Sequence, residues 1–167
     1  YYYEQFTPEM YLNNYQHLKN NETFCFIFLF LFSLLIRLPV ILLFGDTSLV
    51  NEWENLVHNL ITHGKLAYDL DGFLLPNLYL PPLYAYYLYF FSFFNLEDKN
   101  YIILILSSQI FLASISVVIF YKINNFFFSQ KISFYSSLLL SLFPLYVYAC
   151  SQISSISLQV FLTILYF

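Results

Sequence analysis

The sequence predicts an all-α protein, a polytopic transmembrane helical bundle with one amphipathic interfacial helix in its first extracytoplasmic loop. Of its 167 residues, 60% are hydrophobic and 10% are charged, and the mean hydropathy is +0.66, whereas a soluble domain carries about 25% charged residues. Polarity is concentrated between residues 45 and 81, which hold all three glycines, five of the ten acidic residues and the only tryptophan. The remaining chain supplies long uncharged stretches that suit a lipid environment.

We divide the chain into an N-terminal tail, 1–22, and a transmembrane region, 23–167. About 20 helical residues cross the hydrocarbon core of a bilayer, which is about 30 Å thick. The last uncharged stretch, 132–167, would be about 54 Å long as one helix. It is therefore expected to hold two spans, separated by Pro144 and the polar segment 150–155. The expected spans are 23–44, 82–95, 101–121, 132–149 and 154–167, with an extracytoplasmic loop at 45–81.

These features predict an integral, multi-pass protein of a bacterial inner or plasma membrane. The 45–81 loop has one basic residue, Lys65, against five acids, while Lys19 precedes the first span. Positive charges stay on the cytoplasmic side, so the loop is expected outside the cytoplasm. The chain begins with Tyr1 and ends at Phe167 inside an apolar run, from which we expect the N-terminal part of a longer protein. Ten acids and six bases are too few basic groups for a nucleic-acid surface.

The extracytoplasmic loop contains the pattern of a one-sided helix. Its apolar residues recur with helical period, at Leu49, Val50, Trp53, Leu56, Val57, Leu60 and Ile61. We expect a helix over 48–63 that Asp46, Thr47 or Ser48 caps and Gly64 ends. Its Trp and Leu face predicts that it lies in the membrane interface, apolar side down.

The polar face of this helix should point away from the membrane. Positions three and seven apart share a helix face, so Glu52, Asn55 and Asn59 form one upward row. Beyond the helix, 68–72 is turn-like, and the proline-containing segment 76–82 is expected to be extended.

Several short motifs occur in order along this region and the spans that follow. They are Arg37-Leu-Pro39, Gly45-Asp46, Glu52-Trp53, Leu56-Val-His-Asn-Leu60, Gly64-Lys65, Pro81-Pro-Leu-Tyr-Ala-Tyr86, and Phe143-Pro-Leu-Tyr-Val-Tyr148 with Ser151-Gln152. Their order and spacing resemble the membrane glycosyltransferases with the GT-C fold, in particular the family 39-like group. That group includes protein O-mannosyltransferases and lipid A aminoarabinose transferases. The similarity runs from about Phe24 to the end of the chain.

The resemblance implies a glycosyltransferase that works at the extracytoplasmic face. Its donor would be a polyprenyl-phosphate-linked sugar in the membrane lipid, and its acceptor a hydroxyl group of a protein, lipid or glycan. No cofactor is implied. His58 and His63 are five residues apart and do not share a helix face, so no metal site is expected.

Such a transfer needs a carboxylate that takes the acceptor's proton and cationic or dipolar groups that hold the phosphate. Asp46, where the first span ends, is the preferred general base, and Glu52 is the second candidate. Asp46 is alternatively a helix cap, and Glu52 is alternatively part of a solvated helix face. The sequence departs from the family in two places. Asp46 and Glu52 are six residues apart and not adjacent as in several relatives, which leaves the base open, and 97–100 lacks the arginine often found between the second and third spans.

Arg37, Lys65 and Tyr84 are candidate substrate-binding residues, together with Asn55 and Asn59. Arg37 is costly inside an apolar run, so it either extends to the interface or pairs with a phosphate or carboxylate. Lys65 could contact the phosphate or be an ordinary exposed lysine. Tyr84 could stack on a sugar or belong to the aromatic belt at the interface.

A non-catalytic polytopic protein, such as a transporter subunit or a polysaccharide-assembly component, is the alternative. Transporters place charged residues and broken helices inside their spans. Here Arg37 is the one charge within the expected spans, whereas the acids collect in one external loop. This distribution favours the enzyme.

Overall fold

The computed structural model describes residues 8–49, 52–70 and 73–167, and the side chains of 22–49, 52–69 and 73–167. Most of this part is helical, as predicted, and a β-hairpin is added. The elements are α1 Pro8–Phe44, α2 Glu52–His63, β1 Ala67–Leu70, β2 Phe73–Pro76, α3 Pro82–Ser92, α4 Asp98–Phe127, α5 Gln130–Leu142, α6 Pro144–Ala149 and α7 Ile156–Tyr166.

Two helices in the described part are long and apolar enough to cross a membrane, Glu22–Phe44 and Asp98–Phe127. They overlap the expected spans 23–44 and 101–121. Helix α1 begins at Pro8, so a large part of the expected tail continues the helix of the first span.

Helices α1 and α4 run antiparallel. Asn125 Nδ2 donates to Glu22 Oε1 at 3.0 Å, and the ring of Phe26 meets that of Tyr121 edge-on at 5.5 Å. Residue numbers therefore increase along α1 in the direction in which they decrease along α4. The last residue of α1 and the first residues of α4 lie at the same end of the bundle, which we call the loop end because it also carries α2, the hairpin and α3.

The expected crossing at 82–95 is not what the structure contains. Helix α3 has 11 residues, about 16 Å of helix, which is about half of the hydrocarbon thickness. It packs along the first half of α4, where Tyr84 Oη donates to Gln109 Oε1 at 3.0 Å and Tyr101 Oη donates to the Leu88 carbonyl at 2.8 Å. Helix α3 thus runs from the level of Gln109 back to the start of α4 and does not run the length of the bundle.

The chain returns to the loop end through α5 and α6. The ring centroids of Phe28 and Phe134 are 5.8 Å apart, which places α5 beside α1. The helix breaks at Phe143, whose ψ of 113° is extended, because Pro144 disfavours the helical conformation in the residue before it. Pro144 then begins α6, as proline can at the first helical position. The expected span 132–149 is therefore two helices, and 150–155 turns the chain into the 11-residue α7.

An apolar cluster joins the elements of the loop end. Its buried members are Val57, Tyr84, Leu88, Ile102, Ile105, Leu106 and Ile153. Where α1, α4 and α5 pack together, small polar residues fill the contacts instead, with Ser33, Ser114, Ser116, Ser133, Ser137 and Ser141 all fully buried. Small side chains let helix backbones approach closely.

Candidate functional site

Asp46 lies in the turn that leaves α1, and the segment 150–155 holds it there. Its backbone N–H donates to the Ser151 carbonyl at 3.1 Å, and its carboxylate Oδ2 accepts from the Ile153 N–H at 2.7 Å. The carboxylate is half-buried. Residues 47–49 are not helical, and the Asp46 carboxylate accepts from Ile153, so Asp46 does not cap α2. The cap interpretation of Asp46 is therefore wrong.

Gly45 makes this turn possible by its close approach to α1. Its N–H donates to the Ile41 carbonyl at 2.8 Å, and a Cβ on Gly45 would lie 2.4 Å from that carbonyl oxygen. Any other residue would have to move the turn, and with it Asp46.

Two glutamines extend the contact around Asp46 into the bundle. Gln152 Nε2 donates to the Phe44 carbonyl at 2.7 Å, and Gln109 Nε2 donates to the Gln152 carbonyl at 3.0 Å. Gln109, which is fully buried, also accepts the hydroxyl of Tyr84. Hydrogen bonds thus connect the end of α1, the middle of α4, α3 and the 150–155 segment.

The structure places the predicted polar row of α2 in two environments. Glu52 and Asn55 are exposed, but Asn59 is 1% exposed and its Nδ2 donates to the Ala67 carbonyl at 2.8 Å. The prediction that Asn59 shares their solvent-facing row is wrong, because the β-hairpin covers that part of the helix. Asn59 here joins α2 to β1.

The other face and the end of α2 agree with the prediction. Leu56 and Leu60 are buried in the protein. Gly64, directly after the helix, has φ of +65° and donates to the Leu60 carbonyl at 3.2 Å, the left-handed C-terminal arrangement that glycine favours. That the helix lies in the membrane interface stays a prediction.

Tyr68 is a neighbour of Glu52 that the sequence did not single out. Burial, followed by the negative charge of Glu52 and by Tyr79, raises the pKa of the Tyr68 phenol above its ordinary value. The Tyr68 hydroxyl is enclosed and has no hydrogen-bond partner among the described residues. Its position on β1, opposite Leu75, follows from strand pairing that a helix pattern does not reveal.

Tyr84 is not available to a ligand from solvent. Its side chain is 1% exposed, and the ring of Trp53 covers it edge-on at 4.7 Å between centroids. The sugar-stacking and aromatic-belt predictions are both replaced by a core position, since its hydroxyl bonds to Gln109. Lys65, by contrast, is exposed as a loop lysine.

Arg37 points into the bundle instead of extending to its surface. It is fully buried, and its guanidinium carbon lies 5.0 Å from the centroid of the Tyr146 ring. Nη1 donates to the Ser33 carbonyl at 3.0 Å and to the Ser33 hydroxyl. Nε and Nη2 are enclosed without a hydrogen-bond partner in the described part of the chain. The side chain therefore does not extend to the surface of the protein, and its pairing with a phosphate stays a prediction.

The Arg37 guanidinium and the Asp46 carboxylate lie at different depths. Arg37 is seven residues before the end of α1 at Phe44, which corresponds to about 10 Å along the helix axis. Within residues 22–49, 52–69 and 73–167, no three His, Cys, Asp or Glu side chains are grouped as metal ligands. The arrangement therefore offers a carboxylate near the surface and a cation below it.

Comparison with protein-family models, with curated proteins and with solved structures finds no match to this chain. The likeness to GT-C glycosyltransferases accordingly rests on the residues quoted from the sequence.

Proposed function

We propose that this protein is a membrane glycosyltransferase that moves a sugar from a polyprenyl-phosphate donor to a hydroxyl acceptor at the loop end, which faces outside the cytoplasm. The observation that carries the proposal is the position of Asp46. Two segments far apart in sequence close around it, and the Ile153 N–H fixes one carboxylate oxygen. A solvent-exposed loop carboxylate without a catalytic role would not need a hydrogen bond from a distant segment to hold it in place.

Asp46 acts as the general base in this proposal. Within the described residues its hydrogen bond uses Oδ2, which leaves Oδ1 to take the acceptor's hydroxyl proton. As that O–H bond breaks, the acceptor oxygen bonds to the anomeric carbon of the donor. The bond from this carbon to the phosphate oxygen breaks, and the electron pair leaves with the polyprenyl phosphate.

Arg37 stabilises the phosphate side of the reaction. Two of its nitrogens are unpaired in the described structure, and a buried cation is strongly favoured by a nearby anion. The phosphate is the anion that this reaction supplies. Glu52, exposed at the start of α2, orients the acceptor from the other side together with Asn55, and Lys65 contributes positive charge from the loop.

The test is transfer by the Asp46→Asn variant, measured with the full chain in native membranes and a panel of polyprenyl-phosphate sugars. The substitution keeps the acceptor of the Ile153 hydrogen bond but removes the basic carboxylate. We expect the transfer rate to fall about 10²–10⁴-fold, as is typical for losing a positioned base, with expression and donor binding kept. Glu52→Gln should lower the rate less.

Glu97→Gln is the matched control, because Glu97 is an exposed carboxylate at the loop end with no role in the proposed reaction. It should leave transfer unchanged. If Glu52→Gln is the more damaging variant, the base is Glu52. Normal transfer by both single variants and by their double variant would exclude this mechanism and favour a non-catalytic membrane protein.

A further inference from the structure

A cavity of about 460 Å³ lies at the loop end, on the side of α2 that carries Glu54 and His58. Its size falls within the range of about 300–1,000 Å³ that is typical of small-molecule sites. Three parts of the chain form its walls: the turn before α2, α2 itself, and the connection from α3 into α4. The catalytic and substrate-binding residues named above are not among the described residues that line it.

The lining divides into a polar part and an apolar part. Planar polar side chains come from three places, Glu54 and His58 on α2, Asn95 in the α3–α4 connection, and Asp98 at the start of α4. Apolar contacts come from both walls, at Leu49, Val57, Ile61, Leu96, Tyr101 and Ile102. The Tyr101 hydroxyl already bonds to the Leu88 carbonyl, so this residue offers mainly its ring.

The charges of the described lining disfavour an anionic occupant. Glu54 and Asp98 line the cavity together, and its lining within the described chain includes no Lys or Arg. A phosphate would meet like charge there, and juxtaposed like charges cost several kcal/mol at an interface. The cavity therefore does not favour the lipid phosphate of the donor, which the proposed function assigns to Arg37.

The combination of groups suits a sugar ring. Carboxylates accept hydrogen bonds from hydroxyl groups, and the Asn95 amide both donates and accepts. A pyranose presents its hydroxyls around the edge and C–H groups on its faces, so one surface of it can contact Val57 and the Tyr101 ring while the edge meets the polar groups. Water displaced from the apolar wall adds to the affinity.

The cavity is also near enough to Asp46 to hold a substrate of the same reaction. Ser48, two residues after Asp46, lines it, and two residues of chain span at most about 7 Å. An acceptor of more than one ring could place one ring in the cavity and present a hydroxyl of another ring to Asp46. Glu52 and Asn55, which do not line the cavity, would then contact the part of the acceptor outside it.

We propose that this cavity binds the acceptor and that the acceptor is a saccharide, not a protein or lipid hydroxyl. The inference rests on the proposed glycosyltransferase function, because it assigns one of the two substrates of that reaction. It adds Glu54, Asn95 and Asp98 as acceptor-binding residues.

The test measures sugar binding directly, without donor or transfer. The full chain in nanodiscs is titrated with methyl glycosides of glucose, mannose, galactose and N-acetylglucosamine and with maltose, with binding followed by saturation-transfer NMR. At least one should bind, and both Glu54→Gln and Asp98→Asn should weaken it about tenfold or more, the effect of weakening a charge-assisted hydrogen bond. Val57→Trp should fill the cavity and abolish binding.

Glu97→Gln is the control, since Glu97 precedes Asp98 but does not line the cavity; it should bind as the unaltered protein does. Because Val57 is also a core residue, thermal unfolding of each variant is measured, and the Glu54 and Asp98 variants decide the matter if Val57→Trp does not fold. Binding of none of the sugars, or binding that ignores Glu54 and Asp98, overturns the inference. So does binding of n-butylammonium in place of the sugars, since this would mark a site for amines.

The outcomes separate this inference from the proposed function. Asp46→Asn should keep full sugar binding while losing transfer. Loss of transfer in a protein that binds no sugar leaves the enzyme standing and removes the cavity assignment. Sugar binding by a protein whose transfer does not depend on Asp46 or Glu52 keeps the cavity assignment and removes the proposed mechanism.

Discussion

Arg37 is a cation that the fold has enclosed within a helix long enough to cross a membrane. Its contact with the Tyr146 ring contributes about 1–2 kcal/mol, and the Ser33 carbonyl and hydroxyl satisfy one nitrogen. Burying an ion costs several kcal/mol even after relaxation, so these contacts do not offset the burial. Arg37 therefore destabilises the fold unless an anion binds to it.

We expect Arg37→Met to leave the unfolding temperature unchanged or raised, because an apolar side chain of similar length removes the uncompensated charge. Binding of the polyprenyl-phosphate donor should fall at least about tenfold. Thermal unfolding in detergent and donor titration measure the two effects, with the exposed Lys131→Met as the control. A large loss of stability together with normal donor binding would give Arg37 a purely structural role.

Asn59 and Asn55 provide a matched pair on one helix. Asn59→Ala should lower the free energy of unfolding by about 1–3 kcal/mol, because it leaves the Ala67 carbonyl without its buried partner. Asn55→Ala, on the exposed face, should change it by no more than about 0.5 kcal/mol. Chemical unfolding measures the difference, and hydrogen exchange should show faster opening of the hairpin only in the Asn59 variant. Equal effects of the two variants would contradict the burial of Asn59.

At the scale of elements, the two described glycines end their helices for different reasons. Gly64 has a left-handed φ of +65°, and a Cβ added to it would meet no neighbouring atom within 4 Å, so its cost on substitution is conformational. Gly45 instead lies against the backbone of Ile41, so its cost on substitution is a collision. A collision at Gly45 displaces the backbone, and the next residue along the backbone is Asp46.

We therefore expect Gly64→Ala to lower the free energy of unfolding by about 1 kcal/mol without altering transfer. Gly45→Ala should reduce transfer strongly and expose the Ile153 amide to faster hydrogen exchange, because the turn must shift. Exchange mass spectrometry over 150–155 distinguishes the two variants. The same exchange rate at Ile153 in both would show that the turn tolerates a side chain.

The sequence was sufficient for the elements whose signal is local. Helical periodicity located α2, and Gly64 located its end. Pro144 was expected to help separate two spans, but it divides the expected span 132–149 into α5 and α6. The β-hairpin was missed, although Asp71-Gly72 between two apolar stretches is the strongest short hairpin signal. Asn59 was assigned to solvent because a helical pattern does not show that the hairpin folds back over that face.

The Asp46 environment was beyond local signals for a different reason. The donor to its carboxylate is a backbone N–H, which every residue except proline carries and no motif marks. Gln109 lies in a long apolar helix, whose sequence does not show which partner a single amide side chain meets. Both contacts depend on how α4 and the 150–155 segment meet α1, which is a property of the whole fold.

At the scale of the whole molecule, the structure differs from the sequence prediction in which connections lie at the same end of the bundle. Five crossings would place the 97–100 connection opposite the 45–81 loop. In the structure α3 does not cross, so the 45–81 loop, 97–100 and 150–155 lie together at the loop end. The α4–α5 connection lies at the other end, beside Glu22.

Single cysteines at Ser48, Glu97 and Ser129 distinguish these arrangements, in a background with Cys25 and Cys150 replaced. In sealed cells an impermeant maleimide should label the first two positions, and Ser129 only after the membranes are opened. Five crossings would instead give labelling at Ser48 and Ser129 but not at Glu97. Labelling of Ser129 alone would keep the structure's arrangement but place the loop end in the cytoplasm, against the proposed donor.

The hydrogen bond between Ile153 and Asp46 joins positions 107 residues apart. A ribosome adds about 5–20 residues per second, so Asp46 is synthesised about 5–20 s before the residue that fixes its carboxylate. During that interval α1 and α2 can form, but the carboxylate has no partner from the 150–155 segment. The proposed base is thus completed late in translation, and a nascent chain that stops before Ile153 carries every residue of the first loop while remaining unable to hold Asp46 in place.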